Sequence, residues 1–327
     1  MKKWILLPLI GVLLAAYILL AVKWYNALPG TEADTQPTAA TTTATLPPET
    51  MPTFQAEEYP PAVMPEDYTL TARQAFVFDL GSGVMLYTFG EQDVPISPAS
   101  ITKLLTAYTA LQYLDPGQVV TAGIEVTWID PESSLALVKQ GDRLTVELLI
   151  EGMMLQSGND AAYTLAVALG QKILEDPAAD PELALQAAME AINFQARLLG
   201  MQETNFVTPD GDDEPGHYST ASDLLTLGMA VIQEPVILHY AGLVTDHVTF
   251  EDGKTLDWKN TNMLLHESSP YYCPEACGLK TGYTSLAGAC QLSLFRTGGR
   301  YLLIGVFGSP TYQDRAADSL YLYEQYR

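Results

Sequence analysis

Apolar residues run from Trp4 to Val22 without a charge, between Lys2-Lys3 and Lys23. As a helix these nineteen residues span roughly 28 Å, close to the hydrocarbon thickness of a bilayer. The pattern predicts an uncleaved membrane anchor or a cleaved signal segment over residues 1–23. The leading lysines put the N-terminus inside and export the rest in either case. Residues 31–65 then hold nine Thr and seven Pro with no Lys or Arg. Pro47-Pro48 and Pro60-Pro61 interrupt any helix or strand, so residues 24–66 predict an extended, disordered stalk. One folded domain is expected over residues 67–327.

Within that domain, Ala75–Asp79 and Val84–Phe89 flank Gly81-Ser82-Gly83 and predict a β-hairpin. Ser97-Pro98 predicts a helix start, with Ser97 as cap and the proline in the first turn. Leu104–Leu114 is apolar nearly all round and predicts a buried helix. Val146–Leu155 and Asp160–Leu169 predict two helices joined by Ser157-Gly158-Asn159. Leu183–Leu199 predicts a helix stopped by Gly200, and Thr220 with Asp223 predicts the capped start of another. Strand patterns return at Gly278–Tyr283, Gly288–Arg296 and Tyr301–Gly308, followed by a closing helix over Asp314–Tyr326. Two strands, a helical block, three strands and a helix predict an α/β (α+β) fold. Its antiparallel five-stranded sheet would be covered by helices on both faces.

Composition narrows the class. The chain has 327 residues, of which 48% are hydrophobic and 17% charged, enough for a full-sized core. Residues 24–327 carry 13 basic and 39 acidic groups, a net charge of −26. That excludes nucleic acid as a main partner and disfavours docking on anionic headgroups. Three cysteines exclude a disulfide-built scaffold. Cys273 and Cys277 are candidates for a local disulfide, and Cys290 reads as a small buried strand residue. A zinc site from His266, Cys273, Cys277 and Cys290 has poor support in its spacing. No metal or cofactor is expected.

Three short motifs carry candidate chemistry. In Ser100-Ile101-Thr102-Lys103, positions i and i+3 share a helical face, so the lysine amine can reach the serine hydroxyl. A serine needs a base to become a nucleophile, and a lysine can be that base only when burial lowers its pKa. Ser157 and Asn159 place a hydroxyl and a carboxamide in one interhelical turn. Lys280-Thr281-Gly282 lies in a predicted strand, where alternation puts Lys280 and Gly282 on one face. Gly282 would let a substrate backbone approach closely. Each motif alone is common by chance.

Their combination and order are specific. S-x-x-K, S-x-N and K-T-G in one exported chain resemble the motif set of penicillin-binding proteins and serine β-lactamases. The wording around them, including Tyr218-Ser219-Thr220-Ala221, resembles the low-molecular-mass serine D-alanyl-D-alanine carboxypeptidases over residues 67–327. The resemblance implies that Ser100 attacks the penultimate D-alanine carbonyl of a peptidoglycan stem peptide, with Lys103 as proton acceptor. Ser157 would relay a proton to the leaving amine, helped by Lys280. Asn159 would hold the substrate amide or orient Lys103. Lys280 and Thr281 would attract the terminal carboxylate, and the N–H groups of Ser100 and Tyr283 would form the oxyanion hole. Arg315 falls where the family often carries an arginine; it would add charge for the carboxylate or lie on a helix surface. β-Lactam antibiotics would acylate Ser100.

The chain also departs from the family. It reads Thr208-Pro209-Asp210-Gly211 where Asn-x-His-Gly or Asn-x-Asp-Gly is frequent, and Ser222 where arginine is common. The acidic run Asp210–Glu214 reads as a solvated loop. A D,D-endopeptidase shares every motif, and a non-hydrolytic β-lactam or muropeptide sensor would look the same. A serine β-lactamase would need a water-activating glutamate, for which Glu190 is the nearest candidate.

Overall fold

The computed structural model describes residues 68–130 and 132–327. The expected anchor or signal segment and the stalk lie outside the described residues. Among the described residues no single helix is long and apolar enough to cross a membrane.

The first hairpin pairs β1 (Gln74–Asp79) with β2 (Val84–Phe89). The chain then enters a 3-10 turn, Ala99–Ile101, that leads directly into α1 (Thr102–Leu111). Two short strands, β3 (Val119–Thr121) and β4 (Arg143–Thr145), precede α2 (Val146–Leu155) and α3 (Asn159–Ile173). α4 (Pro181–Leu199), α5 (Ala221–Val231) and α6 (Pro235–Gly242) complete the helical block. A small hairpin of β5 (Thr245–Thr249) and β6 (Thr255–Lys259) follows. The chain closes through β7 (Ala276–Thr284), β8 (Gly288–Thr297), β9 (Arg300–Ser309) and α7 (Tyr312–Tyr326).

The main sheet has five strands in the order β2-β1-β9-β8-β7, each neighbouring pair antiparallel. Both faces are buried, which is why β8 and β9 read as nearly continuous apolar runs. On β9, Leu303 and Phe307 join the large core beneath the helical block, with Phe76, Leu104 and Leu105. Leu302, Ile304 and Val306 face the other way, onto Leu320, Leu322 and Tyr323 of α7. The expected five-stranded, doubly covered sheet is therefore present.

Local chemistry fixes the helix ends. The Asp180 carboxylate accepts from the N–H groups of Glu182 and Leu183 to start α4, and Gly200 at φ 95° ends it. Thr220 accepts from Asp223 N at the start of α5, as its sequence predicts. The start of α1 differs from expectation. Ser97 does not cap it; its hydroxyl instead donates to Asp213 at 3.1 Å. The first turn is 3-10, and Ala99, immediately before Ser100, takes a left-handed φ of 49°.

Candidate active site

Three of the sequence candidates meet at one amine. Lys103 lies in the first turn of α1 and is completely buried. Its Nζ donates to Ser100 Oγ at 2.8 Å, to Asn159 Oδ1 at 2.7 Å and to the Asp210 carbonyl at 2.8 Å. Helical spacing explains the first contact, and the N-terminus of α3 supplies the second. Burial holds the Lys103 ammonium down to about 8 from its ordinary 10.5, while the carboxylates of Asp210, Asp160 and Asp212 pull the other way. A lysine in that state can exchange a proton near neutral pH.

Ser157 sits between α2 and α3 in the same turn as Asn159, buried and with a left-handed φ of 57°. Gly158 leaves no room for a Cβ, which would meet Ala136 Cβ at 2.6 Å. Ala136 belongs to a segment that Asp160 ties down from α3. The buried Asp160 carboxylate accepts from the N–H groups of Ala136, Val138 and Ala161 at 2.8–2.9 Å. That segment contains Leu137, another residue at positive φ. Three of the four non-glycine residues with positive φ among the described residues, Ala99, Leu137 and Ser157, thus border this centre. Asp160→Ala leaves three amides without their acceptor and is expected to lower stability by about 3 kcal/mol in urea unfolding. A loss under about 1 kcal/mol would show that other acceptors replace the carboxylate.

β7 forms the other wall at the open edge of the sheet. Lys280 is buried, and its Nζ donates to the Thr281 carbonyl at 2.9 Å. Burial pushes its pKa well below 10.5, and the positive charges of Lys103 and Arg315 add to the shift. Thr281 Oγ1 lies 2.6 Å from Thr261 Oγ1. Gly282 has a role different from the expected one. A Cβ there would meet Ala99 Cβ and Ser100 N at 2.9 Å, so the glycine admits this chain's own serine-bearing turn rather than a substrate backbone. Tyr283 is half-exposed and packs edge-on against Tyr312, with ring centroids 4.9 Å apart.

Arg315 is neither a surface residue nor open to a ligand along its whole length. It is buried, and Nη1 donates to the carbonyls of Gly282 at 3.1 Å and Cys290 at 3.3 Å. Burial pushes its pKa down to about 10. It braces β7 from behind. Cys273, Cys277 and Cys290 are free thiols. Cys273 Sγ donates to the Glu275 carboxylate and Cys277 Sγ to the Glu275 carbonyl, and the two candidates for a local disulfide are not bridged in this structure.

The acidic run is solvated over Asp212–Glu214, as expected, but not at its start. Asp210 is buried and gives its carbonyl to Lys103. Asp213 Oδ1 accepts from Ser97 and, at 2.6 Å, from Thr284 Oγ1; its Oδ2 accepts from Leu286 N at 2.9 Å. It ties the loop to both the segment before the serine and the end of β7. Thr208, at the departure from the family pattern, accepts from Gly211 N at 3.2 Å and closes the turn. His217 anchors the loop from below. Its Nδ1 accepts from Val207 N and Thr208 N, which leaves the proton on Nε2 to donate to Thr102 Oγ1 at 2.9 Å. Sequence reasoning missed Asp210, Asp213 and His217; the only signal was the unusual Thr208-Pro209-Asp210-Gly211 wording. Glu190 is exposed on α4 and bonded to Gln186, away from this centre.

Fold and centre together pair a serine hydroxyl with a buried lysine, where many serine hydrolases use a histidine. The chain belongs to the D-alanyl-D-alanine carboxypeptidase family, whose model matches residues 61–311. It is 33% identical over 254 residues to the D-alanyl-D-alanine carboxypeptidase DacB2 of Mycobacterium tuberculosis, covering 75% of this chain and 80% of that one. It is 26% identical to DacF of Bacillus subtilis, over 75% of this chain and 59% of the relative, and so spans about three-fifths of the latter's length. Among solved structures it resembles a Streptomyces DD-transpeptidase, with a TM-score of 0.70 at 27% identity over 78% of this chain and 97% of the other. A penicillin-binding protein homolog from Mycobacterium tuberculosis gives a TM-score of 0.66 at 31% identity, covering 82% and 96%.

Proposed function

We propose that this chain hydrolyses the terminal D-Ala-D-Ala bond of peptidoglycan stem peptides through a Ser100 acyl-enzyme, and that β-lactams trap the same serine. The observation that carries this is the Lys103 amine held between Ser100 Oγ, Asn159 Oδ1 and the Asp210 carbonyl. A neutral amine has two N–H bonds and one lone pair. Asn159 and Asp210 take the N–H bonds, and the lone pair is left for the Ser100 proton. The hydroxyl oxygen attacks the carbonyl, and Lys103 becomes the ammonium. That proton passes to the leaving D-alanine amine, with Ser157 as relay; water then cleaves the ester. The N–H groups of Ser100 and Tyr283 receive the oxyanion. Thr281 and the charge of Lys280 receive the terminal carboxylate. Arg315 contributes by holding the Gly282 carbonyl and by its charge behind β7. The apolar segment over residues 1–23 keeps the domain on the extracytoplasmic side of the cell membrane, as an anchor or, if cleaved, as an export signal.

The test is D-alanine release from a stem pentapeptide. Release is expected, with a rate that rises through about pH 8, because Lys103 must lose its proton to act as base and its pKa lies there. Penicillin acylation without D-alanine release would replace this function with the endopeptidase or sensor alternative.

A further inference from the structure

We infer that His217 is a positioning residue for the catalytic base: it holds the loop whose Asp210 carbonyl directs the Lys103 lone pair at Ser100. This rests on the proposed role of Lys103.

The chain of contacts is continuous. His217 is buried, with its ring stacked on Phe206 at a centroid distance of 4.9 Å and an interplanar angle of 7°. Nδ1 accepts from two successive backbone amides, Val207 and Thr208, and Nε2 donates to Thr102, the residue before Lys103. One ring therefore joins both sides of the contact that matters: the loop carrying Asp210 and the helical turn carrying the base. From that anchor the loop lies along α1. The Pro209 carbonyl accepts from Thr106 Oγ1 at 2.7 Å, and the Asp210 carbonyl accepts from Lys103 at 2.8 Å. Gly211 then presses on Ala99.

The ring can do this only when neutral. Protonation would place an N–H on Nδ1 against the two amides that donate to it. Burial holds its pKa down to about 4, and the nearby Lys103 charge acts in the same sense, against the opposing pull of Asp213 and Asp212. A neutral imidazole supplies one acceptor and one donor on opposite sides of a rigid ring. Without it the loop keeps its ties through Pro209 and Asp213 but loses the anchor at Val207 and Thr208, and the Asp210 carbonyl can shift from Lys103. One N–H of the neutral amine then has no acceptor, and the lone pair is no longer aimed.

The effect should appear in the acylation step, because His217 does not touch the reacting atoms. In full-length protein, His217→Ala is expected to lower the first-order acylation constant with benzylpenicillin roughly 10²-fold, the scale of an ångström misplacement. The preceding binding constant should change by less than about threefold, since the carboxylate-binding wall on β7 is untouched. The pH limb assigned to Lys103 should move to lower pH, because losing a carbonyl acceptor disfavours the ammonium. The other charged groups acting on Lys103, namely Asp210, Asp160 and Asp212 and, from β7, Lys280, remain in both proteins. His217→Gln, which offers an acceptor and a donor without titrating, should recover part of the rate.

Thr102→Val removes only the hydroxyl that receives the His217 Nε2 proton. It decides the matter should His217→Ala fail to fold, and is expected to slow acylation with the same shift of the limb. Folded variants that acylate at the wild-type rate with an unmoved pH limb would overturn the inference. So would a rate loss that appears only in the binding constant. Absence of acylation in the wild type would instead remove the parent function.

Discussion

Lys103→Met is expected to slow acylation of Ser100 by roughly 10²–10⁴-fold, the range for loss of a positioned general base. Methionine fills similar space on α1 without an amine, so the serine keeps its place and loses its proton acceptor. The substitution also has a distinct stability signature. The folded pKa of Lys103, about 8, lies below its unfolded value of 10.5. Between those pH values the unfolded chain binds more protons, so the contribution of Lys103 to stability rises with pH from about 8 to 10.5 and is level on either side. Below pH 8 the folded protein carries a buried ammonium, at a cost of about 3 kcal/mol relative to its neutral form. The stability of wild type minus that of Lys103→Met should therefore grow by about that amount across this window, as measured by urea unfolding. An unchanged difference would mean that the amine titrates as it would in water. Acylation of the variant within tenfold of wild type would show that another group takes the proton.

Gly211→Ala should have the second largest effect. Gly211 has φ +89°, and a Cβ there would lie 1.9 Å from the Ala99 carbonyl oxygen and 2.7 Å from Thr102 Oγ1. Both are parts of the serine-bearing turn, and the first is backbone that cannot rotate away. Either the loop lifts and withdraws the Asp210 carbonyl from Lys103, or the turn shifts and moves Ser100. Both routes should cost roughly 10²-fold in acylation and about 3 kcal/mol in stability. Gly141→Ala is the control. It has a similar φ of +93° but nothing within 4 Å, so it carries the backbone cost without the clash. It should lower stability by about 1 kcal/mol and leave acylation unchanged. Equal effects of the two substitutions on acylation would assign the loss at Gly211 to φ alone.

How far the sequence discloses this architecture depends on what each feature is made of. Strands β7 to β9 and the helices around Ser157 are legible because long apolar runs and local caps mark them. Thr220 before Asp223 and Gly200 after α4 do in the structure what their residue types predict. The β5–β6 hairpin is not legible, because each strand fully buries only one residue, Val248 and Trp258, and apart from the half-buried Leu256 the rest of its pattern is polar. Ser100, Lys103 and Asn159 are legible as motif members, and helical spacing alone predicts the first contact. The Asp210 contribution is not, because a carbonyl oxygen belongs to every residue and only tertiary folding aims one. Asp213 is an exposed member of the charge run, but its three donors come from distant parts of the chain and only the fold shows them. Arg315 illustrates the same limit. Its helix is predictable, but its burial against Gly282 and Cys290 follows from how α7 packs on the sheet.

The pairing of Ser100 with a buried lysine is the centre of the account, and the intact mass of the full-length protein after mixing with benzylpenicillin tests it most directly. Wild type is expected to gain the mass of one penicillin, and Ser100→Ala to gain none under the same conditions. An adduct of equal yield on Ser100→Ala, or no adduct and no penicillin consumed by wild type, would contradict Ser100 as the nucleophile.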